Sequence, residues 1–345
     1  MQITLANNRQ TRRRIHIRPN LTIMKGTIAD LKFVRYGDII VPIIMGKERR
    51  RVINNIVPQG LYQYVNYLLT VSNNAKAGNK TVSGWNSSPG NVIQLLNNGS
   101  IVQTLNATVL PALNGSTVIW IFIVNDLSSA SYTANQLNLF ASVNYIYSYN
   151  YYNLSFGLNQ ADDNLQYSPA FNLATATANI VKQSGEAISF VWEIQLNLGS
   201  SALTDFIYGI LYSIPTFNSC GGIVGTFGGL YTGALPGSAL SITYSPYYFS
   251  SITLQYLGGS SSANIGSITI SYDGTNTYLV MSASISFSSQ VTATSVVVGV
   301  TDSTLYFCLN GQLVSSGSAI QIPYSATLPS GTVTVTVTIE FSPAT

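Results

Sequence analysis

The chain has 345 residues, 46% of them hydrophobic and 8% charged, with a formal net charge of +3. That charged fraction is about a third of the ~25% usual in soluble proteins, and Ser, Thr, Asn, Gly and Tyr supply the polar surface instead. Such a composition argues against a freely dispersed monomer and favours a chain that buries much of its exterior in an assembly, ahead of one that works outside the cell.

Charge divides the chain. Residues 1–80 hold 14 of the 15 Lys and Arg but only 3 of the 12 Asp and Glu, so the formal charge is +11 up to residue 80 and −8 beyond it. Arg9, Arg12, Arg13, Arg14 and Arg18 lie in a stretch, 1–20, that has no apolar run of a secretion signal and no apolar face wide enough to pack. It reads as an extended segment ordered only by a partner. A second cluster, Lys47, Arg49, Arg50 and Arg51, follows an apolar run at 39–45. Residues 1–50 are therefore predicted to form a basic amino-terminal arm that binds a polyanion, either nucleic acid or an anionic membrane face.

From about residue 61 the chain becomes a series of short runs rich in Val, Ile, Tyr, Phe and Thr, separated by Gly, Ser, Asn and Pro. This is the pattern of an all-β protein. Predicted strands are 62–71, 92–96, 101–110, 118–124, 139–149, 188–198, 206–214, 252–257, 265–272, 278–287, 296–300, 305–309 and 333–341. In the last, Val333, Val335, Val337, Ile339 and Phe341 alternate with Thr334, Thr336, Thr338 and Glu340, predicting one buried and one wetter face. Asp273-Gly274 and Asn310-Gly311 supply the positive φ angles of tight hairpins. Residues 170–182 read as a turn or two of helix within an interdomain link. The prediction is two β-sandwiches, 51–170 and 171–345, with the boundary between about 160 and 186. No run approaches the length of a membrane span.

Reactive chemistry is sparse. His16 is the only histidine and lies among arginines, so it reads as solvated, and no Ser-His-Asp or Cys-His site is expected. Glu186 and Glu193 are seven residues apart, which on one strand places them on opposite faces and roughly 23 Å apart, beyond glycosidase spacing. Asp162 and Asp163 read as a turn. The glycine-rich segment 221–229 lacks both P-loop and dinucleotide spacing and reads as a loop. Two cysteines, Cys220 and Cys308, are too few for a zinc site; buried thiols or one disulfide both fit them. Tyr145, Tyr147, Tyr149 and Tyr151 share one strand face with no cation nearby and read as packing residues. Sequons occur at Asn20, Asn79, Asn86, Asn98, Asn106, Asn114 and Asn153; the six from Asn79 onward are the candidate glycosylation sites, on outward loops of the first sandwich.

Taken together, the Arg12–Arg14 and Lys47–Arg51 clusters, the strand series over 62–341, the two hairpin turns and the charge-poor polar surface resemble a known family. This is the major capsid proteins of turreted icosahedral viruses of hyperthermophilic archaea, in the double jelly-roll lineage. The resemblance covers the whole chain and rests on its general character. It implies two consecutive jelly rolls, self-association into homotrimeric capsomers of a virion shell, and contact with other virion proteins. It also implies that the basic arm faces an internal lipid membrane or the packaged genome, and that synthesis occurs in the host cytoplasm. No cofactor, metal, small-molecule substrate or catalytic residue is expected. The alternative reading is a carbohydrate-binding or adhesive β-sandwich such as a turret or spike subunit, suggested by Tyr272-Asp273-Gly274-Thr275.

Overall fold

The computed structural model describes residues 12–36, 39–76, 81–84, 90–142, 144–147, 165–167, 169–198, 249–300, 306–309, 312–315 and 319–343. The chain opens with strands β1 (Arg12–Gly26), β2 (Leu31–Tyr36), β3 (Ile39–Ile44), β4 (Glu48–Val52) and β5 (Asn54–Ile56), then helix α1 (Pro58–Lys76). Next come β6 (Thr81–Gly84), β7 (Val92–Asn97), β8 (Ser100–Asn106), β9 (Thr108–Asn114), β10 (Thr117–Asp126) and β11 (Tyr132–Ala141). They are followed by β12 (Asn144–Tyr147), β13 (Leu165–Tyr167), β14 (Phe171–Lys182) and β15 (Ala187–Asn197). The carboxy-terminal part holds β16 (Phe249–Tyr256), β17 (Gly259–Asn264), β18 (Ser267–Tyr272), β19 (Thr277–Phe287) and β20 (Val291–Val300). It ends with β21 (Tyr306–Leu309), β22 (Gln312–Ser315), β23 (Ala319–Leu328) and β24 (Gly331–Pro343). The all-β class expected from sequence is what the structure has.

One sheet organises the molecule. Its order is β18-β19-β24-β1-β15-β10-β9, with β4 also paired to β1. The β1-β15-β10-β9 half shares a core with a five-stranded sheet, β5-β14-β11-β7-β8, and the β18-β19-β24 half shares a core with the sheet β17-β16-β20-β23. In the first sandwich the strands nest as antiparallel pairs: β1 with β15, β5 with β14, β7 with β11 and β9 with β10. In a jelly roll successive pairs alternate between sheets; here the second and third pairs share one sheet.

The sequence reading of the amino terminus is corrected at β1. Ile15, Ile17, Leu21 and Ile23 are buried and alternate with outward Arg14, His16, Arg18 and Thr22, so the strand has the period-2 pattern of a half-buried element. A window ending at residue 20 contains only half of that face. Far from being an arm, β1 is an interior strand, antiparallel to β15 on one edge and parallel to β24 on the other, from Arg12↔Thr338 to Ile17↔Pro343. Its second edge pairs with β4 from Leu21 onward. Pro19, which has no N–H to donate, falls in the gap between those two partners, where a proline costs the ladder least.

Three further expectations change. Residues 62–71 are helical: Pro58 occupies a helix start, and Leu61, Tyr64 and Val65 are buried at helical spacing. The Tyr64 ring lies 5.3 Å from that of Trp120, while Tyr62 stacks at 5.0 Å on Tyr272, so α1 touches both sandwiches. Residues 171–182 form β14, whose buried Ala174, Ala176, Ala178 and Ile180 pack in the first core. β14 pairs with β11 and β15 with β10, both strands of that sandwich. On β24 the apolar face is buried as expected, but Thr336, Glu340 and Ser342 on the opposite face are buried as well. The Asp273-Gly274 hairpin joins β18 and β19, with Gly274 at φ 99°. Leu309 pairs with Gln312 across Asn310-Gly311, which themselves lie outside the described residues.

Candidate functional site

The alternation that buries one face of β1 turns Arg14, His16 and Arg18 outward, where all three are exposed. Arg51 stands opposite Thr22 and Arg49 opposite Met24, so both share this outer face with them. Arg50 is opposite the buried Ile23, and its guanidinium donates instead to the Asn179 carbonyl on β14. Lys47 is exposed just before β4. The fold thus strings Arg14, Arg18, Arg51 and Arg49, from two clusters separated by about thirty residues, along one face of the β1–β4 part of the shared sheet, with Arg14 at the β24 junction, Arg49 beside Met24 and Lys47 just before β4. The backbones of Arg12 and Arg13 continue β1 opposite Thr338 and Ile339, and Arg9 lies outside the described residues.

These cations are held differently. The Arg14 Nε lies 3.1 Å from Oε1 of Glu340, an oxygen that also accepts the Ser342 hydroxyl at 2.6 Å; Arg14 is 55% exposed and Glu340 1%. This pair sits on the β1–β24 junction. The Arg51 Nε donates to Asn20 Oδ1 at 2.7 Å, and the Asn20 amide donates to Glu193 at 2.9 Å. Lys25 pairs with Glu186 at 2.9 Å, and the Glu186 carboxyl is held below its ordinary range first by the Gln183 backbone N–H and then by Lys25. Among the described residues, Arg18, Lys47 and Arg49 have no carboxylate at ion-pair distance. Exposed pairs contribute about 1 kcal/mol at most, so the cluster does more to set the local potential than to hold the fold.

A hairpin lies across this face. Val34 of β2 and Val41 and Ile43 of β3 pack on Met24, Ile121, Ile123 and Val191, forming a small second core outside the sheet. The Ile44 N–H donates to the Ser189 hydroxyl at 2.7 Å, and the Asn125 amide donates to the Pro42 carbonyl at 2.8 Å. At the hairpin base Gly46 is pressed against β1: an added Cβ would come within 2.1 Å of the Lys25 carbonyl oxygen. A cleft of about 190 Å³ opens beside the hairpin, lined by Met24, Val34, Ile43, Met45 and Val191 with Thr22, Arg49 and Glu193. On the hairpin's other side Phe33 and Ile40 are 74% and 63% exposed, a feature the sequence reading did not single out.

Other singled-out residues take simpler roles. Asn98, Asn106 and Asn114 are exposed at the ends of β7, β8 and β9, while Asn79, Asn86 and Asn153 lie outside the described residues. Asn20 already uses its amide on Glu193, so attachment of a glycan there would break that contact. The Asp273 carboxyl accepts the Thr275 and Asn276 N–H groups and the Tyr278 hydroxyl, and those bonds, the Asn276 one foremost, hold it well below the ordinary carboxylate range. Its lone pairs are directed into its own hairpin. Segment 221–229 and Cys220 lie outside the described residues, as do Asp162 and Asp163. Among the described residues no three His, Cys, Asp or Glu side chains converge as a metal site, and no helix is long and apolar enough to cross a membrane.

No protein-family model, curated protein or solved structure matches this chain.

Proposed function

We infer that this chain is a structural subunit that self-associates into a closed shell, in the manner of double jelly-roll capsid proteins assembled from homotrimers, with its arginine-bearing sheet face turned toward an enclosed polyanion. One observation carries the reading. Lys182 is the only cation beyond residue 80, and its ammonium is buried, so the surface contributed by the last 265 residues presents no positive charge. Dispersed proteins keep apart through interspersed surface charges. A surface of hydroxyls and amides with few charges offers little repulsion to a neighbouring copy, while Arg14, Arg18, Arg49 and Arg51 share one sheet face. Two sandwiches fused through a common sheet give a broad, stiff block suited to tiling, and interior pairing of β1 and β24 removes two edges that would otherwise invite uncontrolled strand addition. The cationic cluster orients the block against phosphate-rich material.

The adhesive alternative draws less support, since Asp273, the residue that suggested it, has its carboxylate committed within its own turn. Light scattering of the purified chain, with electron microscopy over a range of concentration, salt and pH, tests the shell reading. Trimers that go on to closed particles are expected. A compact monomer under every condition would overturn it.

A further inference from the structure

We propose that the β2–β3 hairpin is a membrane wedge: Phe33 and Ile40 enter the interfacial region of an anionic bilayer while the surrounding arginines and lysines engage lipid headgroups. The proposal rests on reading this face as polyanion-facing and does not depend on shell assembly.

The strand register defines the wedge. Phe33 stands opposite Pro42 and position 35 opposite Ile40, so Phe33, Pro42 and Ile40 share the hairpin face directed away from the sheet. The other face, with Val34, Val41 and Ile43, is the one packed on the sheet. A two-stranded ribbon is only marginally stable alone. This one is anchored from below by its own small core and by the Ser189 and Asn125 hydrogen bonds, so its apolar outer side is exposed on a fixed support. Ile28 and Met45, at the base, are 62% and 47% exposed, and Ile53, just past β4, is 88% exposed. Half of the ten large hydrophobics exposed among the described residues thus fall between residues 28 and 53. The same stretch carries exposed Lys32, Lys47, Arg49 and Arg51.

Charge complementarity selects the occupant. Aliphatic side chains such as Ile40 and Ile28 gain little from a phosphate backbone, which is contacted by cations and stacking rings. A second copy of this face would bring arginine against arginine. An anionic bilayer satisfies both features at once, taking apolar side chains below the headgroups and cations among them.

The test uses the full chain with vesicles of phosphatidylcholine alone or mixed with phosphatidylglycerol, and duplex DNA as the competing polyanion. Phe33→Trp serves as a depth reporter against brominated lipids, with quenching measured relative to the unsubstituted protein. The expected result is binding to the anionic vesicles only, quenching at position 33, and vesicle affinity lower by on the order of tenfold or more in Phe33→Ser/Ile40→Ser. DNA affinity is unchanged in that variant. Both side chains are exposed, so the substitutions leave the core intact. Vesicle binding without quenching, and unaffected in the double variant, would overturn the wedge but leave the cationic-face reading standing. Binding to DNA and not to vesicles would do the same. Binding to neither would remove both.

Discussion

Replacing Lys182 by Met tests what the only cation beyond residue 80 contributes to the fold. The Lys182 ammonium donates to the Ser128 carbonyl at 2.5 Å and the Ala130 carbonyl at 2.9 Å, and lies 3.9 Å from the Asp126 carboxylate. Asp126 in turn accepts the Ser128 N–H at 3.0 Å and the Tyr132 hydroxyl at 2.8 Å. The cluster ties the β10–β11 connection to the end of β14. Methionine preserves most of the volume but removes the charge and both donors. Hydrogen bonds from a charged group contribute about 1.5–3 kcal/mol each, and stripping one partner from a buried pair costs about 3–5 kcal/mol. Because the ion pair is loose and the packing is kept, the lower end applies, about 3 kcal/mol. At roughly 2–4 °C per kcal/mol for a unit of this size, the melting temperature falls by about 6–12 °C. Asp126→Asn in the Lys182→Met background should recover about 1–2 kcal/mol, since the uncompensated carboxylate is then gone. Thermal and urea unfolding measure both. A loss below about 0.5 kcal/mol for the single variant, or strict additivity in the double, would refute the clamp.

Gly60→Ala places a Cβ 1.8 Å from the Asn172 carbonyl oxygen, a backbone atom on β14. It should destabilise by about 2–3 kcal/mol in urea unfolding, although alanine is the better helix former by about 1 kcal/mol. Burial pushes the Tyr64 and Tyr132 phenols far above their ordinary range, and the Asp126 contact adds to the shift at Tyr132. Unfolded tyrosines ionise near pH 10, so stability should fall as pH rises above ~10, and the phenolate absorbance of these two rings should emerge only on unfolding. Asp273, Glu186 and Asp30 are held below their ordinary values, led in each case by a backbone N–H bond. Their contribution is complete above the unfolded values near 4 and is lost as pH falls through the folded ones. Stability measured by urea should therefore drop below about pH 4, and less steeply in Asp273→Asn.

Strand content was legible because most strands here are rich in β-branched and aromatic residues and are bounded by turn formers. The same composition misled at α1, where Tyr, Val and Thr suggested a strand although Pro58 and the 61, 64, 65 spacing carried the helical signal. At β14 the inward residues are mostly alanine, whose small side chains make a faint hydrophobic pattern even when fully buried. The cationic site was half legible. Both arginine clusters are obvious in sequence, but their alignment along one sheet face depends on β4 returning beside the Leu21–Lys25 end of β1, a pairing no local pattern encodes. Phe33 and Ile40 were not legible, because exposure is a property of which side of a hairpin faces the sheet.

The placement of β1 changes what the charge asymmetry means. If the arginines lay on a detachable arm, removing the first fifty residues would cancel the charge and spare the fold. In this architecture that truncation deletes the strand whose two edges hold β15 and β24, and with it the four side chains that β1 sends into the main core, Ile15, Ile17, Leu21 and Ile23. Each such side chain contributes on the order of 1.5–3 kcal/mol on burial, and together they rival the whole stability of a typical domain. The parallel β1–β24 pairing also means that the common sheet cannot close until the last strand of the chain is in place, a long-range closure of the kind that slows folding. Polyanion binding by this face must consequently be dissected by charge substitution at Arg18, Lys47 and Arg49, which are exposed and, among the described residues, have no carboxylate at ion-pair distance. Arg14 stands apart, since it also neutralises the buried Glu340.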